Sequence, residues 1–123
     1  MEIGLTYTST TTVDETNIAA TMGSGDLNVF ATPSMIALME NAAMNAVAKE
    51  LPEGSTTVGA MMNSTHVKPS AVGATIHATA TLKAVEGRKL TFDVKAEDGT
   101  GVIGEGEHIR YIVDKERFMA KLK

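Results

Sequence analysis

The sequence predicts an α+β fold in which an antiparallel sheet wraps around one long helix. The helix is indicated by a long, almost wholly apolar segment, Thr32–Leu51, with start and stop signals at its ends. The sheet is indicated by segments in which apolar and polar residues alternate, because successive side chains of a strand point to opposite faces. Glu86–Gly87 and Glu97–Gly101 separate three of these segments and are typical of hairpin turns.

The chain begins with a predicted strand, Ile3–Val13, which is rich in threonine. Thr16–Met22 is interpreted as a short extended piece. Gly23–Asp26 contains two glycines, which indicate a flexible loop. It lies just before the helix, so it is interpreted either as a lid over a site or as an ordinary connector, and we expect it to be more mobile than the helix.

The central helix has a clear beginning and end. Thr32 is suited to cap it, and Pro33 suits the first helical position because the N–H that proline lacks would be unpaired there. Pro52 ends it, since a residue before proline is pushed out of the α region. Its apolar residues spread around nearly the whole circumference, which is typical of a buried helix. They are Met35, Ile36, Leu38, Met39, Ala42, Ala43, Met44, Ala46 and Val47.

One carboxylate, Glu40, interrupts this apolar helix. Its helical neighbours one turn away are the apolar residues Ile36, Ala37, Ala43 and Met44. Burying an unpaired carboxylate is costly, so we expect either a charged partner or a perturbed pKa. Glu40 is therefore the clearest functional candidate in the chain.

Four further strands and a short helix follow the central helix. The strands are predicted at Thr56–Val67, Ala74–Val85, around Leu90–Ala96 and at Val102–Val113, and a charged terminal helix at Lys115–Lys123. The order is one strand, the helix, and four strands joined by short hairpins. An apolar helix wrapped by an antiparallel sheet is the arrangement called the hotdog fold.

Length, charge and composition limit the function. The chain of 123 residues fits one domain, residues 1–123, with a core of its own. A net charge of −4 argues against a general nucleic-acid binder, and the absence of cysteine excludes disulfides and thiolate metal sites. No apolar run is long enough to span a bilayer and no signal core is present, so we expect a cytoplasmic protein with no membrane role.

Three polar residues are candidates for a shared site: Thr32, Glu40 and His66. Each has a structural alternative. Thr32 serves equally as a helix cap, His66 as an ordinary hydrogen-bonded histidine, and Glu40 as one half of an ion pair with Arg110. Eight positions along a helix separate Thr32 from Glu40 by about 12 Å, so a site that uses both requires a fold-back or a second subunit.

The remaining histidines and glycines carry no metal or nucleotide signature. His77 and His108 are expected at the surface, and no spacing typical of a metal site occurs. Gly104 and Gly106 lie within a strand rather than before a helix, so they indicate a close approach of backbone or ligand, or a bulge.

Short motifs along the chain resemble the family of the fluoroacetyl-CoA-specific thioesterase and its hotdog-fold relatives. The similar segments run in the same order and cover most of the chain. They are Val29–Thr32, Leu38–Glu40, Val58–Gly59, Thr65–His66, Ala84–Arg88, Ile103–Arg110 and Glu116–Phe118. Glu40 and His66 lie 26 residues apart (66 − 40), a separation similar to that in the family.

The resemblance implies a Thr–Glu–His constellation at Thr32, Glu40 and His66, in a homodimer with sites at the subunit interface. It also implies that Gly59 and Arg110 lie near the acyl and thioester region of the substrate. A dimer of this kind resolves the distance between Thr32 and Glu40.

The expected chemistry is hydrolysis of an acyl-CoA thioester without a cofactor. Glu40 acts as nucleophile or as general base on water, His66 moves protons or stabilises charge, and Thr32 orients Glu40 or the substrate. A backbone N–H at Gly59 is a candidate donor to the oxyanion. Cationic candidates for the CoA phosphates are Lys68, Arg88, Lys89 and Arg110.

The substrate expectation departs from the family in one respect. The fluoroacetate-selective member carries aromatic residues just before the helix, whereas Gly23–Leu27 has none. We therefore expect a more general short-chain acyl-CoA substrate. The alternative function is a non-catalytic acyl-CoA or small-ligand binding protein on the same fold, because a fold does not fix a function.

Overall fold

The computed structural model describes all 123 residues, Met1–Lys123. Five strands form one antiparallel sheet in the order β1-β3-β4-β5-β2. The strands are β1 (Thr6–Thr12), β2 (Ser55–Ser64), β3 (Thr75–Glu86), β4 (Lys89–Glu97) and β5 (Val102–Asp114). The helices are α1 (Ala19–Met22), α2 (Thr32–Val47) and α3 (Lys115–Ala120), with a 3₁₀ turn at Ala48–Glu50 after α2. None of the helices has the length and apolar character that crossing a bilayer requires.

The helix α2 packs one face on the concave side of the sheet. Its buried residues are Met35, Met39, Ala42, Ala43 and Val47, and they meet the buried alternate positions of β3 and β4. Truncating either fully buried methionine to alanine is expected to cost about 2–5 kcal/mol. The expectation of a helix buried all round is wrong, because the sheet of one chain covers only this face and leaves Ala37 and Met44 exposed.

The strand order corrects one predicted connection. β3 to β4 and β4 to β5 are hairpins as expected, but β2 pairs with β5 and not with β3. Beyond β2 the chain still follows β5, since the N–H of Thr65 donates to Glu105 and that of Val67 to Ile103. It then crosses to β3, so β2 and β1 form the two edges of the sheet.

The segment before α2 also differs from its predicted form. Thr16–Met22 is not extended, because its second half is the single helical turn α1. Gly23 ends this turn in the left-handed conformation with φ 75°, which glycine adopts at little cost. Ile18 forms an isolated β-bridge with Phe30, and both side chains are buried, so the segment is held against the core at each end.

Candidate active site

Thr32 and His66 meet at the N-terminal end of α2. The Thr32 hydroxyl lies 2.7 Å from His66 Nδ1. The capping role predicted for Thr32 is wrong, because Ala31 occupies the N-cap position and no side chain caps the helix. The hydroxyl of Thr32, already in the first turn, faces the chain just beyond β2 and binds the imidazole there. Within one chain Thr32 therefore orients His66, and not Glu40.

The second nitrogen of His66 has no partner within the chain. Nε2 is buried and makes no hydrogen bond, although the residue as a whole is half-buried. Burial lowers the pKa of His66 below its ordinary value of 6.5, because desolvation disfavours the charged ring. The imidazole is thus neutral near pH 7, with one nitrogen held by Thr32 and the other free to accept or donate a proton.

A cavity of about 270 Å³ adjoins this pair. Its lining includes Thr32, His66 and Lys68, together with Ala19 and Ser24 from the segment before α2. The predicted loop thus lies beside the Thr32–His66 pair, which agrees with either interpretation of it; its mobility stays a prediction.

The ammonium of Lys68 is not free to bind a ligand in this cavity. It lies 2.8 Å from an oxygen of Asp98 and also contacts the Thr100 hydroxyl. The hydrogen bond from Lys68, followed by those from the backbone N–H and the hydroxyl of Thr100, holds the pKa of Asp98 well below its usual range. Lys68, expected to bind a CoA phosphate, already has a carboxylate partner.

Glu40 lies half-way along α2 and faces the edge strand β2 at Gly59. A Cβ atom built on Gly59 would lie 2.7 Å from Glu40 Oε2, so a side chain at this position would displace the carboxylate. The Glu40 side chain is 42% exposed, and the expectation of a buried carboxylate is therefore wrong for a single chain. The reason is that Glu40 faces β2, which is an edge strand, so no further strand of the same chain covers it there.

Arg110 supplies the positive charge beside Glu40. Its Nη1 lies 3.9 Å from Glu40 Oε2, while Nε and Nη2 donate to the side chain and the carbonyl of Thr57 at 2.8 and 2.9 Å. Only 6% of Arg110 is exposed. The guanidinium is engaged inside the chain and is not free for a CoA phosphate; the ion pair with Glu40 is the alternative that the structure contains.

His108 completes this second cluster, and its expected position at the surface is wrong. The residue is 1% exposed and lies between β2 and Arg110. The alternation along β5 could have located it, since Glu105 and Glu107 mark the outward face and His108 shares the inward face with Arg110. His77 is exposed as expected and pairs with Thr10.

Two glycines of β5 allow the end of β2 and the backbone just after it to approach closely, as their position in a strand indicated. A Cβ atom on Gly104 would collide with the Thr65 carbonyl, and one on Gly106 with the Asn63 carbonyl. The path that brings His66 to Thr32 therefore depends on the absence of side chains at these positions.

Arg88 is exposed in the turn between β3 and β4. It borders a small surface depression of about 140 Å³ together with Arg117 and Lys121. Of the cations expected to meet CoA phosphates, Arg88 thus remains accessible. No group of three or more His, Cys, Asp or Glu side chains is arranged to hold a metal ion.

The two clusters, Thr32–His66 and Glu40–Gly59–His108–Arg110, do not meet within one chain. They lie at opposite ends of an eight-residue stretch of α2, about 12 Å along the helix axis. The three predicted catalytic residues are therefore divided between two groups, with Thr32 and His66 in one and Glu40 in the other.

Comparison with known proteins gives a consistent result. The family model of the fluoroacetyl-CoA-specific thioesterase, FlK, matches residues 13–116. The fluoroacetyl-CoA thioesterase of Streptantibioticus cattleyicolor is 41% identical over 95 residues, which are 77% of this chain and 68% of that protein.

Solved structures agree. A variant of the fluoroacetyl-CoA thioesterase FlK in complex with acetyl-CoA has a TM-score of 0.92 and 33% identity, covering 99% of this chain and 96% of that chain. A hot-dog-like protein from Thermanaerovibrio acidaminovorans has a TM-score of 0.90 at 23% identity, over 99% and 90% of the two chains, and compares in fold alone. The predicted hotdog fold and the resemblance indicated by the motifs are confirmed.

Proposed function

The chain belongs to the fluoroacetyl-CoA-specific thioesterase family, and on that premise we propose that it hydrolyses a short-chain acyl-CoA to the free acid and CoA. The observation that supports this most directly is the Thr32–His66 pair. A hydroxyl fixes one nitrogen of a neutral imidazole at 2.7 Å, and the opposite nitrogen is buried without a partner. An imidazole held in this way can transfer a proton to a leaving group.

In the proposed reaction Glu40 either attacks the thioester carbonyl or takes a proton from the water that attacks it. In the water route a water oxygen forms the new C–O bond as Glu40 takes its proton, the C–S bond breaks, His66 protonates the departing CoA sulfur, and the proton on Glu40 returns to His66. In the nucleophilic route the C–O bond is to Glu40 itself and the C–S bond breaks as His66 protonates the sulfur. A water then hydrolyses the acyl–Glu40 anhydride, which releases the free acid, restores the carboxylate and returns a proton to His66. The ladder of β2 shifts register between Gly59 and Met61, and the backbone N–H at Gly59 stays the proposed donor to the oxyanion at this bulge.

We propose a two-fold dimer that joins the β2 edges of two chains. An edge strand has unpaired backbone N–H and C=O groups that can pair with another strand, and the edge strand β2 lies beside both polar clusters. In an antiparallel pair about a two-fold axis near Met62, Gly59 of one protomer would lie close to His66 of its partner. Glu40 of one protomer and the Thr32–His66 pair of the other would then share one site.

The acyl group is proposed to be short and not specifically fluoroacetyl, because Gly23–Leu27 beside the Thr32–His66 cavity contains no aromatic residue. Arg88 is the proposed contact for a CoA phosphate, since it is the exposed one of the four candidate cations, whereas Lys89 beside it is half-buried. The cytoplasmic location expected from the cysteine-free sequence stays part of this proposal.

Turnover of a panel of acyl-CoA thioesters, followed by release of the free thiol, tests the function. We expect hydrolysis of short-chain acyl-CoA by the wild-type protein and the largest kcat/KM within that part of the panel. Binding of the same compounds without thiol release would instead support the non-catalytic alternative.

Mixing two inactive variants tests the shared site. In a heterodimer of Glu40→Gln and His66→Ala chains, one site carries both defects and the other carries neither. After subunit exchange at equal concentrations, about a quarter of the wild-type activity should return, because half of the dimers are mixed and each has one intact site. No recovery, with exchange verified by mass, would place the whole site in one chain.

A further inference from the structure

We propose that His108 is a positioning residue of this site, which acts through Arg110 and the β2 bulge to hold the Glu40 carboxylate in place. The inference rests on the proposed function. His108 touches neither substrate nor reacting atoms in that scheme; it fixes the groups that do.

The two contacts of His108 define its tautomer. Nδ1 lies 2.7 Å from the carbonyl oxygen of Met61, which can only accept, so Nδ1 carries the hydrogen and donates. Nε2 lies 3.3 Å from Arg110 Nη1, which can only donate, so Nε2 carries the lone pair and accepts. A charged imidazolium would direct an N–H at the guanidinium, and burial further lowers the pKa of His108.

These contacts converge on the one irregular point of β2. The register shifts between Gly59 and Met61, and Gly59 lies opposite Arg110 in the ladder. A Cβ atom on Gly59 would lie 3.4 Å from His108 Cε1 as well as 2.7 Å from Glu40 Oε2. The imidazole and the carboxylate therefore lie together on the side of Gly59 to which a side chain would point, and they contact the strand at its bulge.

Arg110 is oriented by Thr57 together with the same histidine. Nε and Nη2 are bound to Thr57, which leaves Nη1 to face both His108 and Glu40. With Glu40 at 3.9 Å the pair is too long for a direct hydrogen bond, so the carboxylate alone does not fix Nη1. The two bonds to Thr57 orient the planar guanidinium, and the acceptor nitrogen of His108 gives Nη1 its hydrogen-bond partner within the chain.

The charged and aromatic groups around His108 come from three other elements as well as its own. Arg110 lies beside it on β5, Glu40 approaches from α2, the Met61 carbonyl from β2, and the Phe92 ring from β4 at 6.2 Å between centroids. Arg110 disfavours protonation and Glu40 favours it, while burial disfavours it most.

Three variants separate positioning from plain structural support. His108→Gln keeps one donor and one acceptor, His108→Leu removes both, and His77→Gln is a matched change at an exposed histidine. We expect His108→Leu to lower kcat per folded molecule about ten- to a hundredfold with KM little changed, because a small misplacement of Glu40 acts on the transition state. His108→Gln should restore most of that loss, and His77→Gln should match wild type.

Nitrogen NMR of the wild-type imidazoles gives a readout that does not depend on turnover. The signals that disappear in His108→Gln should show a protonated Nδ1 and an unprotonated Nε2 at neutral pH. The opposite tautomer, a charged ring, or a His108→Leu variant that melts lower but keeps wild-type kcat per folded molecule would each overturn the inference. Failure of the proposed function would show differently, as a wild-type protein without thioester turnover.

Discussion

The two polar clusters along α2 differ in how completely their atoms are paired. In the Thr32–His66 pair a single hydrogen bond holds the ring, and Nε2 has no partner. In the cluster around Glu40 every side-chain nitrogen of His108 and Arg110 has a contact within the chain, while the carboxylate is partly exposed beside the exposed Gly59.

The difference matches two different tasks. A group that moves a proton needs a free ring nitrogen, which the singly held imidazole of His66 provides at Nε2. A charge that must stay in one place needs a rigid support, because misplacement by an ångström is costly in rate. The Thr32–His66 pair, called here the open cluster, therefore fits proton transfer. The Glu40–Gly59–His108–Arg110 group, called here the closed cluster, fits the task of holding the carboxylate in place.

The largest expected effect comes from Glu40→Gln. The change nearly keeps shape and removes the charge that attacks or activates water, so activity should fall about a hundredfold or more. Because Glu40 is 42% exposed and 3.9 Å from Arg110, its removal should leave the melting temperature unchanged or slightly higher. Melting and thioester turnover of the same preparation provide the measurement.

The matched control is Glu53→Gln, an exposed carboxylate in the turn before β2. It should keep full activity. A Glu40→Gln variant that loses stability by roughly 3–5 kcal/mol but retains its activity per folded molecule would reassign Glu40 to a structural ion pair. The contrast between the two clusters would then lose its functional meaning.

A smaller effect is expected from Gly59→Ala. The added Cβ would lie 2.7 Å from Glu40 Oε2, so the flexible end of Glu40 must move while the fold adapts. Activity should fall by about tenfold, within the range expected for a displaced catalytic group. Gly101→Ala is the control, because its Cβ meets nothing within 4 Å and its φ is not positive. Equal activity of both variants would show that the carboxylate does not need its position at Gly59.

The contrast also shows what the sequence could reveal. Thr32, Glu40 and His66 were identifiable because each is a chemically distinctive residue at a marked place: a helix start, an apolar helix, a strand end. The pairing of β2 with β5 was not, because hairpin signals report only neighbours in sequence, whereas β2 meets a strand about fifty positions later, Gly59 opposite Arg110.

The contact partners of individual side chains were harder to predict than the pairing of the strands. Thr32 is followed by proline and fits a cap by residue type, yet its hydroxyl binds a ring 34 positions away. Likewise, Glu40 is surrounded by apolar helical neighbours, but its carboxylate faces Gly59 of β2 and Arg110 of β5. Contacts of this kind depend on tertiary placement and leave no mark in local sequence.

The nucleotide part of CoA is expected to bind near the cluster around Glu40. Arg88 lies beside Ile112, two residues and about 7 Å along β5 from Arg110, whereas Lys68 lies at the His66 end. Arg88→Gln should raise KM for acyl-CoA several-fold with kcat unchanged, because a phosphate contact remote from the reacting bond contributes uniform binding. The acyl-N-acetylcysteamine thioester, which lacks the nucleotide, should show no difference.

Lys68→Gln provides the comparison at the other end. Its ammonium is already paired with Asp98, so KM should change little while the melting temperature falls. A larger rise in KM for Lys68→Gln than for Arg88→Gln would move the proposed phosphate contact from the Glu40 end to the His66 end.

The smallest expected effect is on the pH dependence of stability, where the open and closed clusters should act alike. Burial lowers the pKa of both His66 and His108 from 6.5 in the folded state, so below pH 6.5 the unfolded chain binds more protons. The stability associated with each neutral ring is fully present above pH 6.5 and is lost as the pH falls through the lower folded value. Urea unfolding between about pH 5 and pH 8 should therefore show stability declining on the acid side. His108→Gln should flatten this decline and His77→Gln should not, and equal slopes for the two variants would mean that the buried ring of the closed cluster does not resist protonation.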